Sequence, residues 1–162
     1  MFKNGASRGP HSFKSHSKKM AALMRRLLAA APDSVLLTGI KHEDLAKLAE
    51  AMTLEQFVAD ESLMTIGDAA QHFAIVLDGS VKATIPRTER WPGAAAGVGG
   101  RLQEWRLMQM GEVVGEMALF SGMVRSASVV ALTNGFVGVM RYVDLGRLGD
   151  RLAELLCMRL AG

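Results

Sequence analysis

Residues 111–131, GEVVGEMALFSGMVRSASVVA, decide how the rest of this chain is read. Gly111 and Gly115 stand just ahead of a short apolar run that begins at Met117 and is long enough for one or two helical turns. A glycine at a helix start lets the backbone approach a ligand closely, and the partnerless N–H groups there form an anion site. Nine residues after Glu116 comes Arg125, followed by the small Ser126 and Ala127 and an apolar run to Leu132. An arginine beside small residues at a strand start suggests a guanidinium held close to a compact anion. A phosphate or a carboxylate would fit its planar donor fork.

On both sides of this stretch the texture is that of short strands. Runs rich in Val, Ile, Leu, Phe and Thr predict strands near 53–58, 62–66, 72–77, 80–86, 103–109, 127–133 and 135–141. Asp78-Gly79, between HFAIVL and SVKATI, is the clearest hairpin signal, because Asp-Gly favours the primed turn that matches strand twist. Many short strands at this spacing suggest a barrel or a sandwich. The stretch from Pro86 to about Arg101, PRTERWPGAAAGVGGR, breaks the pattern and reads as a long flexible hairpin insertion. Its glycines lack the Gly-Lys-Ser/Thr ending of a phosphate loop.

Helical spacing flanks the strands. Met20, Leu23, Met24, Leu27 and Leu28 predict a helix from Ser17 to about Ala31, with Ser17 as N-cap and Pro32 as the stop. A second helix is expected from Lys41 to Met52, on an apolar face of Leu45, Leu48, Ala49 and Met52. A third is expected from Asp144 to about Leu160, its first turns weakened by Gly146 and Gly149. Residues 1–16 are polar and aperiodic and read as a disordered basic arm. The domain is then 17–162: helices in 17–52, a β-barrel in 53–142 and a C-terminal helix in 143–161.

Composition narrows the function classes. In 162 residues, 49% are hydrophobic and 22% charged, enough to bury one core and to exclude global disorder. No apolar run approaches the ~18 residues that span a membrane, and the single Cys157 excludes an internal disulfide framework. Cys157 lies on an apolar helix face and reads as a buried thiol. The net charge of +3 is uneven: residues 1–32 hold seven basic side chains and no acidic one, while the other 130 carry 12 basic and 16 acidic groups. The basic character therefore belongs to the N-terminal segment, and the body is mildly acidic. Three readings of that segment stay open: a contact for nucleic acid or acidic partners, a mitochondrial targeting peptide, and a solvated tail. His11, His16, His42 and His72 show no metal-ligand spacing. No nucleophile–base pair or paired carboxylate stands out, so an enzyme is not expected.

The ordered motifs resemble the cyclic nucleotide-binding domain family, the module of cAMP- and cGMP-dependent kinases, catabolite activator-type regulators and gated channels. The likeness rests on Gly115-Glu116, a short helix and Arg125-Ser126-Ala127, which is similar to the family's phosphate-binding cassette. It also rests on Gly67 in TIGD, Gly79 in IVLDGSV and Gly111. It covers roughly residues 34–160. The resemblance implies an α+β, mainly β fold: an eight-stranded jelly-roll-like β-barrel with N-terminal helices, a short cassette helix and a C-terminal helix. It implies that Glu116 accepts from the ribose 2′-hydroxyl and that Arg125 pairs with the cyclic phosphate. It further implies that Gly115, Met117 and Ala118 turn their backbone to the sugar-phosphate, while Ser126 contacts phosphate or purine, followed by Ala127.

The implied ligand is cAMP or cGMP, with no cofactor and no metal. The implied role is a non-catalytic, intracellular, cytoplasmic sensor that acts through its flanking helices on a larger effector. Taken without the motif, Glu116 and Arg125 would read as a structural ion pair. Val124 stands where proline often precedes the arginine, which loosens the local backbone. The C-terminal helix has no aromatic lid residue, so Leu155, Met158 or Arg159 would have to serve. These departures, with the long insertion and the basic arm, motivate the alternative of a nucleotide-independent structural or interaction module.

Overall fold

The computed structural model describes residues 10–87 and 102–162. Its order is α1 (Pro10–Ala30), α2 (His42–Ala51), then strands β1 (Thr53–Phe57), β2 (Ser62–Met64), β3 (His72–Asp78), β4 (Val81–Arg87), β5 (Leu102–Met108), β6 (Val113–Val114), β7 (Ser128–Ala131) and β8 (Gly135–Arg141), and last α3 (Asp150–Ala161). Seven strands match the expected runs to within about two residues at each end. The eighth, β6, is only two residues long, too short to leave a periodic signal.

The strands form two four-stranded antiparallel sheets, β1-β8-β3-β6 and β2-β7-β4-β5. The alternation in β3 explains the layers. Phe73, Ile75 and Leu77 join the core under the helices, with Leu27, Leu48, Met140 and Leu156. Ala74 and Val76 face the other way, into a second core between the sheets with Phe57, Val81, Val129 and Ala131. The first sheet is thus covered on both faces. The second is open outside, where Trp105 and Leu107 are exposed.

Asp78-Gly79 is not a hairpin. It carries the chain from β3 in the first sheet to β4 in the second, and the two strands do not pair. The reason is packing at that corner. Ser80 N–H donates to Thr133 Oγ1 at 3.0 Å, and Leu132 N–H to Ser80 O at 2.9 Å. The 132–134 turn, which takes β7 of the second sheet into β8 of the first, therefore lies beside it. Turn chemistry in the sequence specifies a tight reversal but not which sheet the next strand joins.

Two helical expectations are also corrected. α1 begins at Pro10, not Ser17, so Pro10–His16 of the expected disordered arm is helical; Pro suits a first helical position. The C-terminal segment is two pieces, a 3-10 stretch over Tyr142–Leu148 and then α3, separated at Gly149, whose φ of +82° no right-handed helix contains. Cys157 is half-buried against the helical core. Pro86 and Arg87, the first residues of the expected insertion, belong to β4. The rest of it, 88–101, and residues 1–9 of the expected arm lie outside the described residues. No described helix is long and apolar enough to cross a membrane.

Candidate ligand-binding site

Residues 111–131 cross between the sheets: β6 of the first sheet lies near one end and β7 of the second at the other. Gly115 sits at φ +83°, and a Cβ there would stand 2.5 Å from Arg125 Nη1 and 2.8 Å from Met64 Cε. Only glycine lets the guanidinium lie against the main chain at this point. Met117–Leu119 form a single 3-10 turn, shorter than the sequence suggests. Met123 N–H closes the loop onto Ala118 O at 2.8 Å.

The backbone then runs against the turn at 67–70. Ala70 N–H donates to Met123 O, Arg125 N–H to Asp68 O and Gly67 N–H to Arg125 O, at 2.8, 2.8 and 2.9 Å. Val124 bridges to Ala69. Proline is not needed to hold Arg125 in place; these three hydrogen bonds do it. The TIGD turn thereby acts as the support of the arginine, 58 positions downstream by the numbering of Gly67 and Arg125.

Gly115, Glu116, Met117, Ala118, Arg125, Ser126 and Ala127 all line one pocket of about 120 Å³. Met64, Ala83, Ile85, Met108 and Val129 supply its apolar wall from the strands. Arg125 is 5% exposed. Its Nη1 donates to Gly115 O at 3.2 Å, and its Nη2 lies 3.3 Å from His72 Nε2. The Tyr142 hydroxyl donates to the same Gly115 oxygen. Among the described residues no carboxylate comes within ion-pair distance of Arg125, so the Glu116–Arg125 pair is not formed. Nor do the N–H groups of Met117, Ala118, Ser126 and Ala127 meet a protein acceptor among those residues.

Glu116 is half-buried, and burial pushes its carboxyl above the usual range. A hydrogen bond from its own backbone N–H and the charge of Arg106 oppose that shift. Among the described residues, a buried cation without a counter-charge, amides without a protein acceptor and a carboxyl on the same wall make a site suited to one compact anion with a hydroxyl beside it.

The sequence reading missed His72, Tyr142, Arg106 and Met64. His72 and Tyr142 flank Arg125 from β3 and from the start of the 3-10 stretch. Arg106, on β5, lines the pocket and pairs with Glu112 at 2.9 Å. Nothing local marks these positions; only the register of β3 against β8, which pairs His72 with Arg141, brings the first two together. Of the lid candidates, Arg159 is spent on Leu36 O and Thr38 O, both at 2.8 Å. Leu155 and Met158 line a separate groove with Ile40 and Asp44. Among the described residues, no cluster of His, Cys, Asp or Glu is placed to hold a metal.

Residues 54–151 match the family model described as the cyclic nucleotide-binding domain. Over 100 residues the chain is 30% identical to cGMP-dependent protein kinase, isozyme 1, of Drosophila melanogaster, a stretch that is 62% of this chain and 12% of the kinase. The fold is similar to the regulatory domain of Toxoplasma gondii PKA, crystallised with cAMP, at a TM-score of 0.68 and 23% identity, covering 91% of this chain and 52% of that one. It is also similar to a cyclic nucleotide-binding domain from Methylobacillus flagellatus KT, at a TM-score of 0.67 and 22% identity, covering 85% and 74% of the two chains. The chain therefore spans only a small part of the kinase and about half of the Toxoplasma regulatory domain.

Proposed function

The chain belongs to the cyclic nucleotide-binding domain family, and from that premise we propose that it is a non-catalytic module that binds cAMP or cGMP in the pocket between Glu116 and Arg125. One observation carries this reading: Arg125 is buried with neutral partners only among the described residues. A buried charge without a counter-charge is costly, and a cyclic phosphate would supply the missing one. Arg125 then meets the phosphate with its remaining N–H groups, helped by the free amides of Met117, Ala118, Ser126 and Ala127. Glu116 takes the ribose 2′-hydroxyl, and the apolar wall from β4 and β5 accepts the base. A charge-assisted hydrogen bond of this kind contributes roughly 1.5–3 kcal/mol.

The output in this reading runs through Tyr142. Its hydroxyl ties Gly115 to the 3-10 stretch that leads into α3. A cassette that closes on phosphate would shift that tie, and with it the balance of positions open to α3. The receiver is a larger effector inside the cell, where the ligand is made. We read the two facing sheets as the walls of a jelly-roll-like barrel.

Isothermal titration with cAMP and with cGMP tests the proposal. Saturable binding of at least one is expected. At 100 times its dissociation constant, that nucleotide should stabilise the fold by about 2.7 kcal/mol. No heat and no stabilisation with either nucleotide at millimolar concentration would overturn the proposal in favour of a nucleotide-independent interaction module.

A further inference from the structure

His72 lies outside the cassette by more than 40 residues, yet its ring Nε2 stands 3.3 Å from Arg125 Nη2. A guanidinium has N–H donors and no acceptor. The contact of His72 Nε2 with Arg125 Nη2 at 3.3 Å is therefore a hydrogen bond only if Nε2 carries its lone pair. That requires a neutral imidazole with its proton on Nδ1. Gly115 O takes Nη1 on the other side at 3.2 Å, so the guanidinium is gripped at two nitrogens by two neutral acceptors. The grip leaves its charge uncompensated and its orientation fixed.

We propose that His72 is a positioning residue for Arg125, a neutral acceptor that holds the guanidinium against the cassette wall ready for an anion and lets go when the imidazole takes up a proton. The inference rests on the nucleotide-binding reading above for its ligand, but the His72–Arg125 contact itself needs no ligand. The ionisable surroundings agree with a neutral ring. Burial, and after it the charge of Arg125, hold the His72 pKa below its ordinary value; Glu55, on β1, pulls the other way. Tyr142, beside Arg125, is pushed towards its neutral form by burial. Arg141, the register partner of His72 on β8, is engaged by Asp144 at 2.7 Å. A protonated His72 would face Arg125 as a like charge and could not accept its N–H.

Two substitutions and one titration test this. His72→Leu removes the acceptor and is expected to weaken binding of cAMP or cGMP about tenfold at neutral pH. His72→Gln offers an amide oxygen that does not titrate, and is expected to recover most of that loss. Between neutral pH and about pH 5 the wild-type affinity should fall as the imidazole gains its proton, and the Gln variant should fall less steeply. Any acid loss that the Gln variant keeps belongs to Glu116.

Wild-type affinity in His72→Leu, or an equally steep acid loss in His72→Gln, would overturn the proposal. Nitrogen-15 NMR of the ligand-free protein reads the contact directly: the neutral ring should carry its proton on Nδ1, and Arg125→Ala should raise the His72 pKa. If the wild type binds neither nucleotide, it is the sensing function that fails. The NMR titration then decides alone, and a His72 pKa unmoved by Arg125→Ala would overturn the grip.

Discussion

Asp44, Asp144 and Arg125 are each 5% exposed, and the fold treats the two signs of charge in opposite ways. Asp44 meets Lys47 at 3.3 Å and Arg151 at 2.8 Å; Asp144 meets Arg141 at 2.7 Å and Arg147 at 3.3 Å. Each carboxylate sits on the helical side of the molecule with two cations. Their partners join α2 to α3 and fasten the 3-10 stretch to the end of β8. The Arg141 hydrogen bond and charge hold the Asp144 carboxyl below the usual range, with Arg147 adding to it. Arg125, on the cassette side, has a carbonyl and an imidazole instead. Structural charges in this protein are neutralised where they stand. A charge left with neutral partners in a pocket is the mark of a site that expects its counter-charge from outside.

The widest separation between the two regions should come from Arg125→Ala. It is expected to reduce affinity for cAMP or cGMP by at least about a hundredfold, because two charge-assisted donors are lost together. The melting temperature should change little, since no internal ion pair is broken. Calorimetric titration and a thermal melt of the same sample check both halves. A variant that unfolds instead would make Arg125 a structural charge like those of Asp44 and Asp144.

Gly115→Ala should act on both properties at once. Its Cβ would meet Arg125 Nη1 at 2.5 Å on a backbone with φ +83°. A cost of about 1–3 kcal/mol in stability is expected, with a loss of nucleotide affinity as the guanidinium is displaced. Urea unfolding and titration measure the two. If stability falls and affinity does not, the guanidinium is not tied to the cassette backbone.

The smallest effect should come from the helical side. Asp44→Ala removes the bridge to Arg151, whose side chain is 75% exposed. Exposed partners are screened by water, so about 1 kcal/mol of stability is expected to go. Nucleotide affinity should stay within about twofold, as befits a site without shared partners. A larger affinity change would show that the α2–α3 contact takes part in binding after all.

Much of this was legible before any fold was seen. Glu116, Arg125 and their neighbours line one pocket, and they could be singled out together because they lie within a dozen or so consecutive positions whose glycines mark backbone that must turn or be approached. The seven longer strands were found because each buries a face and so writes an alternating or apolar run. β6 escaped because two residues cannot show a period. The start of α1 was misplaced because its first turns, from Pro10 on, are polar and leave no apolar face to read. The break at Gly149 was seen only as a weakness, since glycine marks a permissive position without saying which conformation is taken.

By itself, then, the sequence determined the inventory: two groups of helices, the seven longer strands, and one glycine-marked segment carrying Glu116 and Arg125. Those features depend on neighbours along the chain. Only the tertiary structure decided that β3 and β4 part at Asp78-Gly79 into different sheets, and that the turn at 67–70 supports Arg125. It alone decided that His72 and Tyr142 close around the cassette, and that no described carboxylate reaches the guanidinium. The physical reason is one of range. Periodicity records that a side chain is buried but not against what, and the partner of a buried charge is fixed by sheet register and by corner packing between segments far apart in sequence.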